Sequence, residues 1–110
     1  MILRLWRGWT DPDRTASYQE LLTGRIAPGI LARDVPGLHD LAVLRRAAVD
    51  GGAGPGTEFL TAMTFTDLSA VAAFTGGDPR TSVVPPEARA LLSRFDEHSR
   101  HYTTVQRFGS

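Results

Sequence analysis

Residues 2–9, ILRLWRGW, carry apolar side chains at both alternating sets of positions. Ile2 and Trp6 belong to one set, whereas Leu5 and Trp9 belong to the other. Successive side chains of a β-strand point to opposite faces of its sheet, so this pattern predicts a strand that is covered on both faces. Helices can cover one face, and the second face needs another partner.

A helix is predicted directly after this strand. Thr10 or Asp11 can accept a backbone N–H at a helix start, and Pro12 is tolerated in the first turn, where no helical donor is needed. Pro28 removes a donor and clashes with the preceding turn, so we expect a kink or a break within residues 24–28. The predicted apolar stripe of this helix is Tyr18, Leu21, Leu22, Ile26 and Ile30.

A second and a third strand follow, joined by a loop. Residues 38–49 predict a strand, and the glycine-rich residues 50–56 predict the loop after it. One alternating set of this strand is Leu41, Val43 and Val49. Residues 57–65 predict the next strand. Its apolar side consists of Phe59, Met63 and Phe65, with Leu60 and Ala62 opposite.

The last part of the chain predicts two short helices and a strand. Thr66 or Asp67 caps the first helix, and Gly76–Gly77 ends it. Its predicted inward face is Leu68, Val71, Ala72 and Phe74. The second helix is entered through Pro85 and Pro86. Its predicted inward residues are Ala88, Leu91, Leu92 and Phe95. Residues 99–105 predict the final strand.

The order of elements predicts an α+β, ferredoxin-like βαββαβ fold in one domain, residues 1–110. In this fold a four-stranded antiparallel sheet carries both helices on one face. The other face is apolar here and would form a larger exposed patch than monomers usually carry. We therefore predict a homodimer with two-fold symmetry, in which the two sheets pack face to face.

The charge, cysteine content and apolar runs of the chain indicate which kinds of partner and which cellular location to expect. Twelve basic and twelve acidic residues give no net charge, which argues against nucleic acid or an anionic membrane as a partner. The chain has no cysteine, and no apolar run approaches the ~20 residues that span a bilayer. Arg4 and Arg7 interrupt the first apolar run, so a signal peptide is not expected and we predict a cytoplasmic protein.

Several segments resemble the antibiotic biosynthesis monooxygenase family. They are WRGWT at 6–10, Tyr18, PG at 36–37 leading into VLRR at 43–46, EFLTAMTFTDLSAVAAFTG at 58–76, and VVPPEARALLSRFDEHSRHY at 83–102. The resemblance covers nearly the whole chain and implies a dimeric α/β barrel. The family includes cofactor-independent oxygenation of polycyclic phenols, quinol oxidation and haem degradation. The resemblance is thus more specific for fold than for reaction.

The residues argue against a bound cofactor or metal. Haem iron needs an axial ligand, and the predicted helices at 67–75 and 87–94 contain no histidine. The glycine-rich loop joins two strands, whereas a dinucleotide site needs a strand-to-helix turn. His98 and His101, if both are extended, point to opposite sides, so a metal pair is not expected.

His101 and Arg4 are the candidate catalytic residues. A neutral imidazole in a cleft can accept a proton from a phenolic or enolic substrate near neutral pH. The alternative is a structural His101 that bonds a backbone carbonyl or Glu58. One of Arg4 and Arg7 is expected to pair with a carboxylate and the other to bind a substrate oxyanion. The sequence leaves open which arginine has which role, and we assign the oxyanion to Arg4.

The predicted walls of a substrate pocket are aromatic: Trp6, Trp9, Tyr18 and Phe74. Each of them also suits the core of a small domain. Two functions follow. The first is a cofactor-free monooxygenase that acts on an aromatic or enolic small molecule. The second is a non-catalytic dimeric protein that binds a small molecule or serves as an accessory.

Overall fold

The computed structural model describes residues 1–47 and 56–109. Its strands are β1 (Ile2–Thr10), β2 (Leu38–Ala47), β3 (Thr57–Phe65), β4 (Arg94–Phe95) and β5 (Arg100–Thr103). Its α-helices are α1 (Thr15–Leu21), α2 (Ala27–Ala32), α3 (Leu68–Thr75) and α4 (Pro86–Leu91). A 3-10 turn, Pro12–Arg14, precedes α1, and a π-helical turn, Leu22–Ile26, joins α1 to α2. Val49 and residues 50–55 of the loop predicted at 50–56 lie outside the described residues.

All strand pairs are antiparallel, and the strand order is β2-β3-β1-β4. β5 also pairs with β1, on the edge that β4 uses. The α+β, ferredoxin-like fold class is therefore confirmed. The register places Arg4 of β1 between Met63 of β3 and His101 of β5.

The final strand is shorter than predicted, because β5 covers only Arg100–Thr103 of residues 99–105. The unpredicted strand β4 precedes it, and the two pair with β1 in different registers. Leu5 pairs with Arg100 and Gly8 pairs with Phe95, so the five residue steps from Phe95 to Arg100 lie opposite three steps on β1. The two extra residues bulge out of the ladder. The bulge is held by Ser99 N, which donates to Arg80 O at 2.9 Å, and by a bridge between Thr81 and His98.

The helices cover one face of the sheet. Tyr18 of α1 packs edge-on against Phe59 of β3, with ring centroids 4.9 Å apart. Phe74 of α3 packs against Phe65 at the other end of β3, at 5.8 Å. The predicted inward set of β3 is confirmed, because Phe59, Met63 and Phe65 are all buried. The opposite face of β1 and β3 carries the side chains of alternate residues, among them Leu5, Leu60 and Ala62.

The predicted interruption of the first helix is a π turn. Ala27 N donates to Leu22 O, five residues back, where an α-helix would bond four residues back. The turn lies directly before Pro28, which sits in the first turn of α2, where its missing N–H is not needed. Asp11 occupies the position before the 3-10 turn and makes no side-chain capping bond, contrary to one of the two predicted caps.

The predicted ends of α3 are confirmed. Asp67 Oδ1 accepts a hydrogen bond from Ala70 N at 2.9 Å, and Gly76 adopts the left-handed φ of 85° that ends the helix. Leu68 is 50 % exposed, so its predicted inward position is wrong. α4 ends at Leu91, and Leu92 is already extended. Phe95 therefore belongs to β4 and not to the inward face of α4.

Candidate functional site

A cavity of about 50 Å³ lies between the sheet and the helices. Its walls come from β1, β3, the first helical segments, α3 and residues 83–88. Three of the predicted aromatic residues, Trp6, Tyr18 and Phe74, line it together with Arg4. The remaining walls are mainly aliphatic. The cavity is therefore apolar, and Arg4 supplies the one guanidinium that the described residues place in its wall.

Arg4 is 3 % exposed, although it is charged. Its Nη1 donates to Pro79 O at 2.6 Å, and its Nη2 donates to Thr81 O at 2.7 Å. Its guanidinium carbon lies 5.5 Å from the centroid of the Phe74 ring. Burial lowers the pKa of Arg4 to about 10, so the side chain still carries its charge at pH 7. Among residues 1–47 and 56–109, no carboxylate forms an ion pair with it.

His101 lies beside Arg4 and is not part of the cavity wall. Its Nε2 is 3.0 Å from Arg4 Nη1. An arginine N–H can only donate, so Nε2 accepts and the neutral imidazole carries its proton on Nδ1. Burial, and then the charge of Arg4, lower the pKa of His101. His101 is therefore neutral at pH 7, and its lone pair is directed at Arg4.

The Tyr18 side chain is 1 % exposed and lines the cavity. Burial raises the pKa of its hydroxyl to about 12, so the hydroxyl keeps its proton. In the part of the chain that the structure describes, this hydroxyl makes no hydrogen bond to the protein. It is thus a neutral donor in the cavity wall.

Ser99 was missed by sequence reasoning. It lies in the bulge between β4 and β5, is 4 % exposed, and lines the cavity. Among the described residues its Oγ is the buried side-chain atom that lacks a hydrogen-bond partner. Nothing in the sequence marks this serine, because the bulge that buries it depends on pairing with distant residues. Its hydroxyl can bond a ligand that enters the cavity.

The two tryptophans lie on different faces of the sheet. The ring of Trp6 lines the cavity, and its Nε1 donates to Asp96 O at 2.8 Å and to Ser82 Oγ at 3.1 Å. Trp9 is three residues further along β1, so it points to the opposite face. There the guanidinium carbon of Arg94 lies 4.0 Å from its ring centroid. The structure does not bring Trp9 to the cavity.

Arg7 and Arg4 also lie on different faces of β1. Arg7 Nε is 3.0 Å from Asp96 Oδ2, and Nη2 is 3.2 Å from Oδ1, which makes a two-pronged ion pair. The structure thus separates the two arginines that the sequence left open: Arg7 has a carboxylate partner, and Arg4 faces the cavity.

The described residues contain no group of three or more histidine, cysteine or acidic side chains placed to hold a metal ion. They also contain no helix that is long and apolar enough to cross a membrane. Both findings concern residues 1–47 and 56–109.

Comparison with known protein families finds no match, and comparison with curated proteins finds none either. Among solved structures, the chain is similar to the crystal structure of an ethyl tert-butyl ether D (EthD) family protein from Bacillus halodurans. The match has a TM-score of 0.55 and covers 96 % of this chain and 100 % of the other. The chain has a ferredoxin-like fold. The two sequences are 18 % identical, so the likeness extends to the fold alone.

Proposed function

We propose that the protein binds an aromatic or enolic small molecule as its oxyanion and oxidises it with molecular oxygen as a cofactor-independent monooxygenase. The observation that carries the proposal is the buried charge of Arg4 in the wall of an apolar cavity. The resemblance of the sequence to antibiotic biosynthesis monooxygenases supports the type of reaction. The name of the similar EthD family protein refers to an ether, which is also a small molecule.

The charge of Arg4 supports an anionic ligand. A buried charge is costly unless an opposite charge compensates it, and the carbonyls of Pro79 and Thr81 supply only dipoles. A phenolate or enolate oxygen in the cavity would supply that opposite charge. Ser99 and Tyr18 line the same cavity, so their hydroxyls add two possible hydrogen-bond donors for a ligand oxygen there.

An oxyanion held in this cavity is prepared for reaction with oxygen. The anion gives one electron to O₂, which forms superoxide and a substrate radical, and the two combine through a new C–O bond. Loss of water from the hydroperoxide converts a CH₂ group into a carbonyl, so that one O₂ yields one carbonyl oxygen and one water. The protein would contribute stabilisation of the anion and exclusion of bulk water.

His101 as the general base stays a prediction. A base must lie within hydrogen-bond reach of the proton that it takes. Nε2 of His101 faces Arg4, so in this arrangement a substrate oxygen would meet Arg4 first. We propose that Arg4 promotes deprotonation by lowering the pKa of the bound substrate, and that the proton passes from the substrate to His101 or to water.

The second candidate is a non-catalytic small-molecule-binding or accessory protein. The observation that favours it is the absence of His101 from the cavity lining, which leaves the described part of the cavity without a neutral base. Such a protein would bind the same oxyanion through Arg4 and release it unchanged.

Oxygen uptake by metal-free protein, measured with a panel of phenols, anthrones and quinols under air and under nitrogen, tests the proposal. We expect oxygen-dependent product that saturates with substrate and is lost in Arg4→Met. Arg80→Met is the matched control, because the Arg80 side chain is 73 % exposed and pairs with Asp78 at the surface. Binding without oxygen uptake would favour the second candidate. No binding by any member of the panel would refute both.

We also propose that the protein is a homodimer through the free face of its sheet. Leu44 of β2 is 49 % exposed and lies beside Leu60 of β3 on that face. Leu44→Glu would place a charge in the interface without changing the core of the protomer. Sedimentation should show a monomer for Leu44→Glu and a dimer for the control Leu68→Glu, whose side chain is equally exposed on α3. A dimer in both variants would contradict this interface.

A further inference from the structure

A groove on the surface lies next to the cavity. The groove has a volume of about 260 Å³. It shares four wall residues with the cavity: Ile26, Ile30, Val83 and Pro85. Two spaces that share four wall residues are adjacent, and the groove, between the α2 region and residues 83–87, is the space into which a ligand longer than the cavity would extend.

The size of the cavity requires such an extension. Its volume of about 50 Å³ is several times the roughly 10–15 Å³ that one water needs by the same kind of measure. It is well below the roughly 150 Å³ of a cavity that holds benzene. The cavity therefore accommodates the oxygen-bearing end of a ligand, and the body of an aromatic ligand has to lie partly in the groove.

The groove contains more charged side chains than the cavity. Arg25 and Arg33 line it, together with one acidic residue, Glu87. Arg33 Nη2 donates to Phe74 O at 3.1 Å. Within residues 1–47 and 56–109, Arg25 forms no ion pair and no side-chain hydrogen bond. The groove thus carries an excess of one positive charge, and the guanidinium of Arg25 is available to a ligand.

The ring of Phe74 lies close to both Arg4 and Arg33. The guanidinium carbon of Arg4 lies 5.5 Å from the centroid of its ring, and that of Arg33 lies 5.0 Å from the same centroid. Arg4 belongs to the cavity wall and Arg33 to the groove wall. One aromatic ring therefore adjoins both a buried and an exposed cation.

We propose that the natural ligand is an aromatic or enolic molecule with a second acidic group, a carboxylate, at the end opposite its phenolic or enolic oxygen. The inner oxygen binds Arg4, the apolar body lies along Ile26, Ile30 and Val83, and the carboxylate binds Arg25 in the groove. This inference rests on the proposed function, because it takes the oxyanion site at Arg4 as given. It adds the class of substrate.

A matched pair of probes tests the inference: 6-hydroxy-2-naphthoate and its methyl ester. Both carry the same phenol, and only the first carries a distal charge. Their affinities are measured by fluorescence titration of the wild-type protein, of Arg25→Gln, and of the surface control Arg107→Gln. We expect the wild type to prefer the carboxylate by roughly 1.4-fold to fivefold, the range for one exposed ionic contact.

Arg25→Gln should remove this preference and leave the affinity for the ester unchanged, whereas Arg107→Gln should behave as wild type. Glu87→Gln should increase the affinity for the carboxylate, because it removes the negative charge from the groove. Equal wild-type affinity for the two probes would overturn this inference and leave the Arg4 site intact. An equal loss for both probes in Arg25→Gln would also overturn it. Binding of neither probe would overturn the inference together with the proposed function.

Discussion

Ser99→Ala should make the unliganded protein more stable. The Ser99 hydroxyl is buried in the cavity wall and has no hydrogen-bond partner among the described residues. A buried polar group without a partner costs about 1–3 kcal/mol. The substitution removes this cost and leaves a small void, so we expect a net stabilisation of about 1 kcal/mol, which corresponds to a rise in Tm of roughly 4 °C.

Ser82→Ala is the matched control for this prediction. Ser82 Oγ donates to Asp96 O at 2.7 Å and accepts from Trp6 Nε1 at 3.1 Å, so both of its roles are filled. Removing this hydroxyl should lower the stability by about 1 kcal/mol. The two substitutions remove the same chemical group. They are expected to change the stability in opposite directions because Ser82 has hydrogen-bond partners and Ser99 has none among the described residues.

Urea denaturation followed by tryptophan fluorescence measures both variants. A change of midpoint at constant m-value reports a change of stability alone. Ser99→Ala should also weaken the binding of a phenol, because the hydroxyl that destabilises the empty cavity is the one that would bond the ligand. A Ser99→Ala protein that is less stable than wild type would refute the reasoning, since its hydroxyl would then have a favourable partner.

Three further predictions concern the fold and its pH dependence. Gly37→Ala should cost about 1–3 kcal/mol in urea denaturation, because Gly37 has a φ of 85° and an added Cβ would lie 2.7 Å from Ala70 Cβ; unchanged stability would contradict this. Asp67→Ala should cost about 0.5–2 kcal/mol through loss of the cap on α3, and Asp67→Asn should restore most of it. The folded-state pKa of His101 is lowered, so the unfolded chain takes up the proton first and stability should fall as the pH drops below about 6.5. His101→Gln should reduce that loss, and an identical pH profile for the two proteins would count against it.

Much of the fold follows from local patterns. The alternation of β3 specifies which of its side chains share the inward face, and Asp67 and Gly76 mark the ends of α3 through capping chemistry that acts within a few residues. The bulge in the final strand could not be predicted this way. It depends on Ser99 N bonding to Arg80 O, a contact between segments whose approach is set by the folded sheet.

Part of the candidate site could also be predicted from local sequence patterns. Arg4 attracts attention because it is a charge within an apolar strand, and alternation places it on the face opposite Arg7. The sequence does not tell which face the helices cover, so it could not assign the cavity to Arg4. No residue near Ser99 in the sequence marks it as part of the site. Its lack of a hydrogen-bond partner depends on distant residues that surround it only in the folded protein.

The central claim is that Arg4 holds an oxyanion in the cavity, and the protonation state of a bound phenol tests it most directly. The absorbance of 4-nitrophenol distinguishes its neutral form from its anion, so a pH titration of the bound compound gives its pKa in wild type, in Arg4→Met and in Arg80→Met. We predict that wild type and Arg80→Met lower the pKa of the bound phenol below that of the free compound, and that Arg4→Met does not. A pKa that is unchanged or raised in the wild-type protein would contradict the account, because a buried guanidinium in contact with the phenol must favour the anion.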